Sequence, residues 1–216
     1  METHNTSLII GSTGLIGNKL LYELAKKDTE IIAITRRPIN NLPENVSLLN
    51  IDFDDFLQNG VLPSCNHIYI CLGTTIKKAG SQSEFKKVDF DYCVSFARKA
   101  REAGATKISL VSSVGANPHT KNFYLKTKNE VEEEIKKIDF QVINIFRPSL
   151  LLGRREESRF LEKIGQNLSS FINLFLIGYF RKYRSIKSSN VAYCMANCEQ
   201  SDGVRYFYFD DFNNNY

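Results

Sequence analysis

Short apolar runs alternate with longer amphipathic stretches along the whole chain. The runs at 7–10, 30–35, 47–51, 67–72, 107–112, 141–146 and 204–209 are nearly continuous in hydrophobic and β-branched residues, the pattern of strands covered on both faces. Between them, apolar positions recur at helical spacing over 15–27, 83–103, 123–138, 157–177 and 190–198, which predicts helices. This alternation predicts an α/β fold with a doubly wound, mainly parallel sheet and helices on both faces. No Pro/Gly/Ser-rich linker, repeat or low-complexity tract interrupts it. Residues 1–216 are therefore expected to form a single domain, with a substrate-side segment at about 149–187 and a short fraying tail at about 212–216.

Composition changes this picture mainly by exclusion. At 43% hydrophobic and 24% charged residues, the chain is neither intrinsically disordered nor collagen-like. Lys plus Arg number 28 against 24 Asp plus Glu, a formal charge of +4. That excess is too mild and too dispersed for nucleic acid, which is not expected as a partner. The charged run holding Glu130, Glu132, Glu133, Glu134, Lys136 and Lys137 reads as a solvated helix face, with Glu132–Lys136 and Glu133–Lys137 as i,i+4 pairs.

Residues 1–6 are polar, and the run Leu8-Ile9-Ile10 stops at Gly11, far short of a signal-peptide core. The greasiest stretch, 171–180, is interrupted by Asn173 and Gly178 and is about half the length needed to cross a bilayer. No integral membrane segment is expected, and the location implied is cytoplasmic. The five cysteines, Cys65, Cys71, Cys93, Cys194 and Cys198, are odd in number and form no CxxC pair. They read as buried free thiols in a reducing compartment, with no metal site.

The most informative segment is Gly11-Ser12-Thr13-Gly14-Leu15-Ile16-Gly17, which follows the first strand and opens the first helix. That is the context of a dinucleotide-binding fingerprint. Gly11 allows the tight turn, Gly14 lets backbone approach a pyrophosphate, and Gly17 lets helix and strand pack closely. The helix N-terminus offers unpaired N–H groups to the anion. Its GxxGxxG spacing differs from the GxGxxG of many dehydrogenases.

The second strand ends in Thr35-Arg36-Arg37-Pro38, where an NAD-binding fold usually places a carboxylate for the ribose 2′-OH. Two guanidinium groups suit a 2′-phosphate instead, so Arg36 and Arg37 point to NADP(H) over NAD(H). Asp52, after the third strand, is either an adenine-contacting acid or a helix cap. The fourth strand ends Cys71-Leu72-Gly73-Thr74-Thr75, and Gly73 there permits close approach of a cofactor ribose.

The fifth strand closes with Ser112-Ser113-Val114-Gly115, and Tyr124 and Lys128 follow on a predicted helix, four residues apart and so on one face. A phenol can exchange a proton with a carbonyl or alcohol oxygen, and a nearby ammonium favours its ionised form. Ser113 is the preferred serine for holding the substrate oxygen. Ser112 is the alternative, because adjacent strand residues face opposite sides.

Taken together, GSTGLIG at 11–17, TRR at 35–37, CLGTT at 71–75, SSVGA at 112–116, YLKTK and NEVE at 124–132, and RPSLLLGRREESR at 147–159 resemble one branch of the atypical short-chain dehydrogenase/reductases. That branch is the HIV Tat-interactive protein 2 (TIP30/CC3) oxidoreductase-like family, and the resemblance covers roughly 7–200. It implies a Rossmann-type domain binding NADP(H) and transferring hydride to or from a small carbonyl or alcohol. Arg36 and Arg37 would meet the 2′-phosphate, with Leu72, Gly73 and Thr74 lining the cofactor. Tyr124 and Lys128 would meet the nicotinamide ribose, and Tyr124 would handle the proton. Pro148, within Arg147-Pro148-Ser149, would face the nicotinamide, and Leu151 and Arg159 would come close to the cofactor. Two other readings stay open. One is an NADPH-binding regulatory or redox-sensing protein acting through partners, and the other an epimerase or isomerase with tightly held cofactor.

Leu161, Ile164, Leu168, Phe171, Ile172, Phe175, Leu176 and Tyr179 form an amphipathic stripe, followed by Arg181, Lys182, Arg184 and Lys187. It fits a helix roofing the substrate crevice. A homodimer interface and contact with an anionic membrane surface are its other readings.

Overall fold

The computed structural model describes residues 5–27, 29–152, 176–199 and 201–213, the side chain of Tyr179 aside. In chain order the elements are β1 (Thr6–Ile10), α1 (Gly17–Leu24), β2 (Glu30–Thr35), β3 (Val46–Asn50), α2 (Phe53–Asn59) and β4 (His67–Ile70). Then come α3 (Ile76–Ala79), α4 (Gln82–Lys86), a π-helical turn (Lys87–Asp91), α5 (Tyr92–Glu102), β5 (Lys107–Val111) and α6 (Phe123–Lys136). The remainder is β6 (Val142–Phe146), β7 (Leu151–Leu152), a 3-10 turn (Gly178–Tyr183), β8 (Ile186–Lys187), α7 (Ser188–Asn197) and β9 (Gly203–Phe207).

Among the described residues, seven strands form one sheet in the order β3-β2-β1-β4-β5-β6-β9, every neighbouring pair parallel. The order reverses between β1 and β4, and the carboxyl ends on either side of that point border a crevice where open α/β sheets bind ligands.

Why the strands read as unbroken apolar runs is visible in β1. Leu8 and Ile10 join the core beneath α5 and α6, while Ile9 joins the core beneath α1 and α7. Each such side chain contributes roughly 1.5–3 kcal/mol on burial, so polar residues are selected against on both faces. All seven predicted strands of the sheet are present to within one or two residues at their ends.

The structure departs from the sequence reading in four places. The single helix expected at 83–103 is broken into α4, the π-helical turn and α5; the wider turn carries Asp89, fully buried. The 51–60 region, where periodicity assigned no element, holds α2, with Asp52 as its cap. The charged run is not wholly solvated. Glu132 is fully buried, because it lies one turn beyond Lys128 on the inward face of α6. The pairs that form are Lys136–Glu133 and Lys137–Glu134, both at 2.6 Å and i,i+3. Finally, Phe212, in the expected tail, is buried and its ring lies 6.4 Å from that of Phe146.

The helix predicted at 157–177 lies almost wholly outside the described residues, and the chain after it forms the 3-10 turn. Among the described residues, no helix is long and apolar enough to cross a membrane.

Candidate cofactor-binding and active site

The glycine turn sits between β1 and α1, as its spacing predicts. Gly11 has φ +84°, and a Cβ there would lie 2.6 Å from the Cys71 carbonyl carbon and oxygen. At Gly17 a Cβ would lie 2.3 Å from the Gly11 carbonyl oxygen and 3.1 Å from Cys71 Cβ. Both positions therefore exclude any side chain, by conformation at one and by volume at both. The Gly14 N–H donates to the Gly11 carbonyl at 2.9 Å, which closes the turn. α1 begins with no side-chain cap and no acid in its first turn, so its amide end carries an uncompensated positive field. Beside it Ser12 is fully buried, and its Oγ has no partner. An orphaned buried hydroxyl at a bare helix N-terminus fits an anion such as a diphosphate.

At the end of β2, Thr35 Oγ1 donates to the Arg37 carbonyl at 2.6 Å and shapes the bend that leaves Arg36 and Arg37 exposed. The Arg36 guanidinium lies 5.3 Å from the centre of the Phe53 ring. Asp52 accepts the Asp55 N–H at 3.1 Å, so its carboxylate caps α2. Arg36 acts weakly on the Asp54 carboxylate, which accepts from Lys87 at 2.7 Å and from the Tyr92 hydroxyl at 2.9 Å. Those two hydrogen bonds, Lys87 first, hold the Asp54 carboxyl below its usual range.

At the end of β4, Leu72 is buried and Gly73 lies against an ion pair that motif reading missed. A Cβ on Gly73 would stand 3.7 Å from Asp89 Oδ1 and 4.0 Å from Lys128 Nζ. Lys128 Nζ is 2.7 Å from Asp89 Oδ1, and the Thr74 N–H donates to Asp89 Oδ2 at 2.8 Å. Burial alone would favour the neutral amine of Lys128. The Asp89 carboxylate beside it, aided by the Tyr124 phenol and the Cys93 thiol, outweighs burial and holds the ammonium well above its ordinary value. The Cys71 and Cys93 thiols are pushed up to about 12 by burial, and remain protonated.

Tyr124 lies one turn before Lys128 on α6, half-buried, its ring 5.8 Å from that of Phe85. Asn122 caps this helix by accepting the Leu125 N–H at 3.2 Å. Ser112 is buried and its Oγ donates to Glu132 Oε1. Ser113 is half-buried, and among the described residues its hydroxyl makes only a long 3.4 Å bond to the Val114 carbonyl. The loop after it is tied to the end of β6, where the Val114 N–H donates to the Pro148 carbonyl at 3.0 Å. Leu151 is half-buried in β7 against β8. Arg159 lies outside the described residues.

The carboxyl ends of β1, β4, β5 and β6 thus gather the glycine turn, Leu72, Gly73, Thr74, Ser113 and Pro148 along one edge, with Tyr124 and Lys128 on the helix that follows β5. Asp89 and Glu132 are the residues sequence reasoning passed over. The available signals were an acid inside the apolar stretch Val88-Asp89-Phe90, and the four-residue step from Lys128 to Glu132. Among the described residues no cluster of three or more His, Cys, Asp or Glu could hold a metal.

A bare helix end behind a left-handed glycine, set at the reversal of a parallel sheet, defines a dinucleotide-binding α/β protein. Residues 11–174 match the NAD(P)H-binding family, and the chain belongs to it, within the atypical short-chain dehydrogenase/reductases. Protein FMP52, mitochondrial, of Candida albicans is 34% identical over 174 residues, 77% of this chain and 76% of its own. Protein HTATIP2 of Rattus norvegicus is 33% identical over 157 residues, 70% of this chain and 64% of its own. The human epimerase family protein SDR39U1, solved with NADPH, shares the fold with a TM-score of 0.64 at 18% identity, over 94% of this chain and 74% of that one.

One expectation is overturned by these relatives. The cytoplasmic location read from the polar start does not stand, since the Candida albicans homologue and other yeast homologues of the same name are mitochondrial proteins. The absence of an apolar run at 1–6 carries little weight, because mitochondrial transit peptides are amphipathic and have no secretory-type apolar core.

Proposed function

We propose that the protein is an NADP(H)-dependent oxidoreductase acting on a small carbonyl or alcohol, associated with mitochondria as its yeast relatives are named. The observation that carries this reading is the convergence of Tyr124, the Lys128–Asp89 pair and the Thr74 amide beside Gly73, on the same sheet edge as the orphaned Ser12 hydroxyl.

The residues present fit a nicotinamide dinucleotide. The turn amides of 11–17 and Ser12 Oγ would hold the diphosphate, and Arg36 and Arg37 the 2′-phosphate, the nearby Asp54 carboxylate being engaged by Lys87 and Tyr92. Leu72, Gly73 and Thr74 would line the ribose side, and Pro148 and Leu151 the nicotinamide end. Bound there, the cofactor supplies or accepts hydride at C4 of its nicotinamide ring.

The protein's own part is proton handling and orientation. Tyr124 gives a proton to a substrate carbonyl oxygen, or takes one from an alcohol. Ser113 donates a hydrogen bond to that oxygen, since the Ser112 hydroxyl is committed to Glu132. Lys128 is fixed by Asp89, and its remaining N–H donors would serve the ribose side of the crevice near Tyr124.

A second reading is favoured by one feature of the same pair. Asp89 compensates much of the ammonium charge that Tyr124 would otherwise face, which suits a protein that binds dinucleotide and is read by a partner. Tyr124→Phe separates the two. On the enzymatic reading it abolishes NADPH-dependent reduction across a panel of carbonyl compounds and leaves cofactor affinity within about threefold, because one neutral hydroxyl toward the ribose adds little to binding beside the phosphate contacts. If wild type oxidises no NADPH with any carbonyl while binding it, the regulatory reading prevails.

A further inference from the structure

The second buried charge on α6 is unused by the proposed chemistry, yet it ties that helix to the ends of β5 and β6. The fully buried Glu132 accepts three hydrogen bonds from two residues. The Ser112 hydroxyl donates to Oε1 from the end of β5, Arg147 Nε donates to the same oxygen at 2.9 Å from the end of β6, and Arg147 Nη2 donates to Oε2. Arg147 is itself held by the Tyr208 hydroxyl at 3.1 Å and lies over the Tyr206 ring at 4.5 Å. Its backbone N–H donates to the Phe207 carbonyl at 2.9 Å, which ties the network to β9.

We propose that Glu132 is a positioning residue, a single carboxylate that sets the relative placement of Ser113, Tyr124 and the Pro148 turn. The inference rests on the functional reading above for the roles of those three residues. Ser112 is pinned twice, by its side chain to Glu132 and by its N–H to the Phe146 carbonyl at 2.7 Å, so the next residue, Ser113, must turn the other way. Glu132 lies two turns after Tyr124 and one after Lys128, so anchoring it fixes both the rotation and the axial position of α6. Arg147 immediately precedes Pro148, whose fixed φ transmits the guanidinium's placement to the turn. A fork-to-fork pair is suited to this task because two parallel bonds specify orientation as well as distance.

Two mild variants test it at a temperature well below their melting points. Ser112→Ala removes one donor to Glu132. With phenanthrenequinone as the carbonyl probe, it should lower kcat by about tenfold or more while KM for NADPH stays within about threefold. The same substitution made in a Ser113→Ala background should cost clearly less than in wild type, since the part of its effect that runs through Ser113 is already gone. An equal loss in both backgrounds, or no loss in either, overturns the role assigned to Glu132.

Arg147→Lys keeps the charge and loses the fork. In the cofactor-free protein, amide hydrogen exchange should quicken together in 112–116, 123–131 and 147–150, with β1 and β2 unchanged. A uniform rise throughout the sheet, or no rise in those three segments, overturns the proposal. This arm needs neither cofactor nor turnover. If wild type binds no NADPH, the functional reading fails while the exchange pattern still decides whether Glu132 holds the three segments together.

Discussion

Lys128 Nζ stands 2.7 Å from Asp89 Oδ1, with the Lys128 side chain 6% exposed and that of Asp89 fully buried. The pair joins the π-helical turn to α6 directly behind Gly73, and the Thr74 amide takes the other carboxylate oxygen at 2.8 Å. Neither charge could be buried at this depth alone.

Removing one partner should therefore cost far more than removing both. Asp89→Leu leaves an unpaired buried ammonium and Lys128→Met an unpaired buried carboxylate, and each should destabilise the fold by about 3–5 kcal/mol, whereas the two together should fall within about 1–2 kcal/mol of wild type. Urea unfolding midpoints of the two single and one double replacements measure the coupling. Additive losses would show that the two charges are independently solvated.

Acid should weaken the protein through His67. Its ring is buried against Tyr69 and its Nε2 lies 3.0 Å from Ser109 Oγ. Burial, with a smaller push from Lys107, lowers its pKa from 6.5 to about 3. The unfolded state thus binds a proton between these values and the folded state does not. This contribution is intact above pH 6.5 and is lost as pH falls toward 3, at up to about 1.4 kcal/mol per pH unit. His67→Gln should flatten that part of the stability curve in urea titrations run from neutral to acid. An unchanged slope would assign the acid sensitivity to other groups.

At the glycine turn, Gly17→Ala places a methyl group 2.3 Å from the Gly11 carbonyl oxygen, which is backbone and has little room to yield. The expected cost is about 1–3 kcal/mol, together with loss of dinucleotide affinity as the turn opens. Differential scanning calorimetry with and without NADPH checks both. A variant of normal melting temperature would mean that α1 can slide away from β4.

Cofactor choice should reside in Arg36 and Arg37. Replacing both with Ala should weaken NADPH far more than NADH, each charge-assisted contact to the 2′-phosphate being worth about 1.5–3 kcal/mol. Isothermal titration with both nucleotides is the measurement, and an equal loss for the two would reject the assignment.

Much of this was legible in the order of residues. The apolar runs marked all seven strands of the sheet, and the 3.6-residue period marked α1, α6 and α7, since both signals come from local burial that each segment carries by itself. The glycine turn, the paired arginines and the Tyr124–Lys128 step were likewise local, lying within a few residues of one another. The interruption at Lys87–Asp91 was not, because the phase shift of one inserted residue falls in a run crowded with apolar positions, Val88, Phe90, Tyr92, Cys93 and Val94, which fits either register.

The chain's own order of residues thus determined that a strand–turn–helix unit with a bare amide end would form, and that a phenol and an ammonium would share one helix face. Only the folded molecule decided that the ammonium meets Asp89, that Glu132 turns inward to Ser112 and Arg147, and that Asp52 caps α2. The physical reason is distance along the chain. Spacing reports which side chains share a face, whereas which buried charge meets which depends on how separate segments stack, and no local pattern records that.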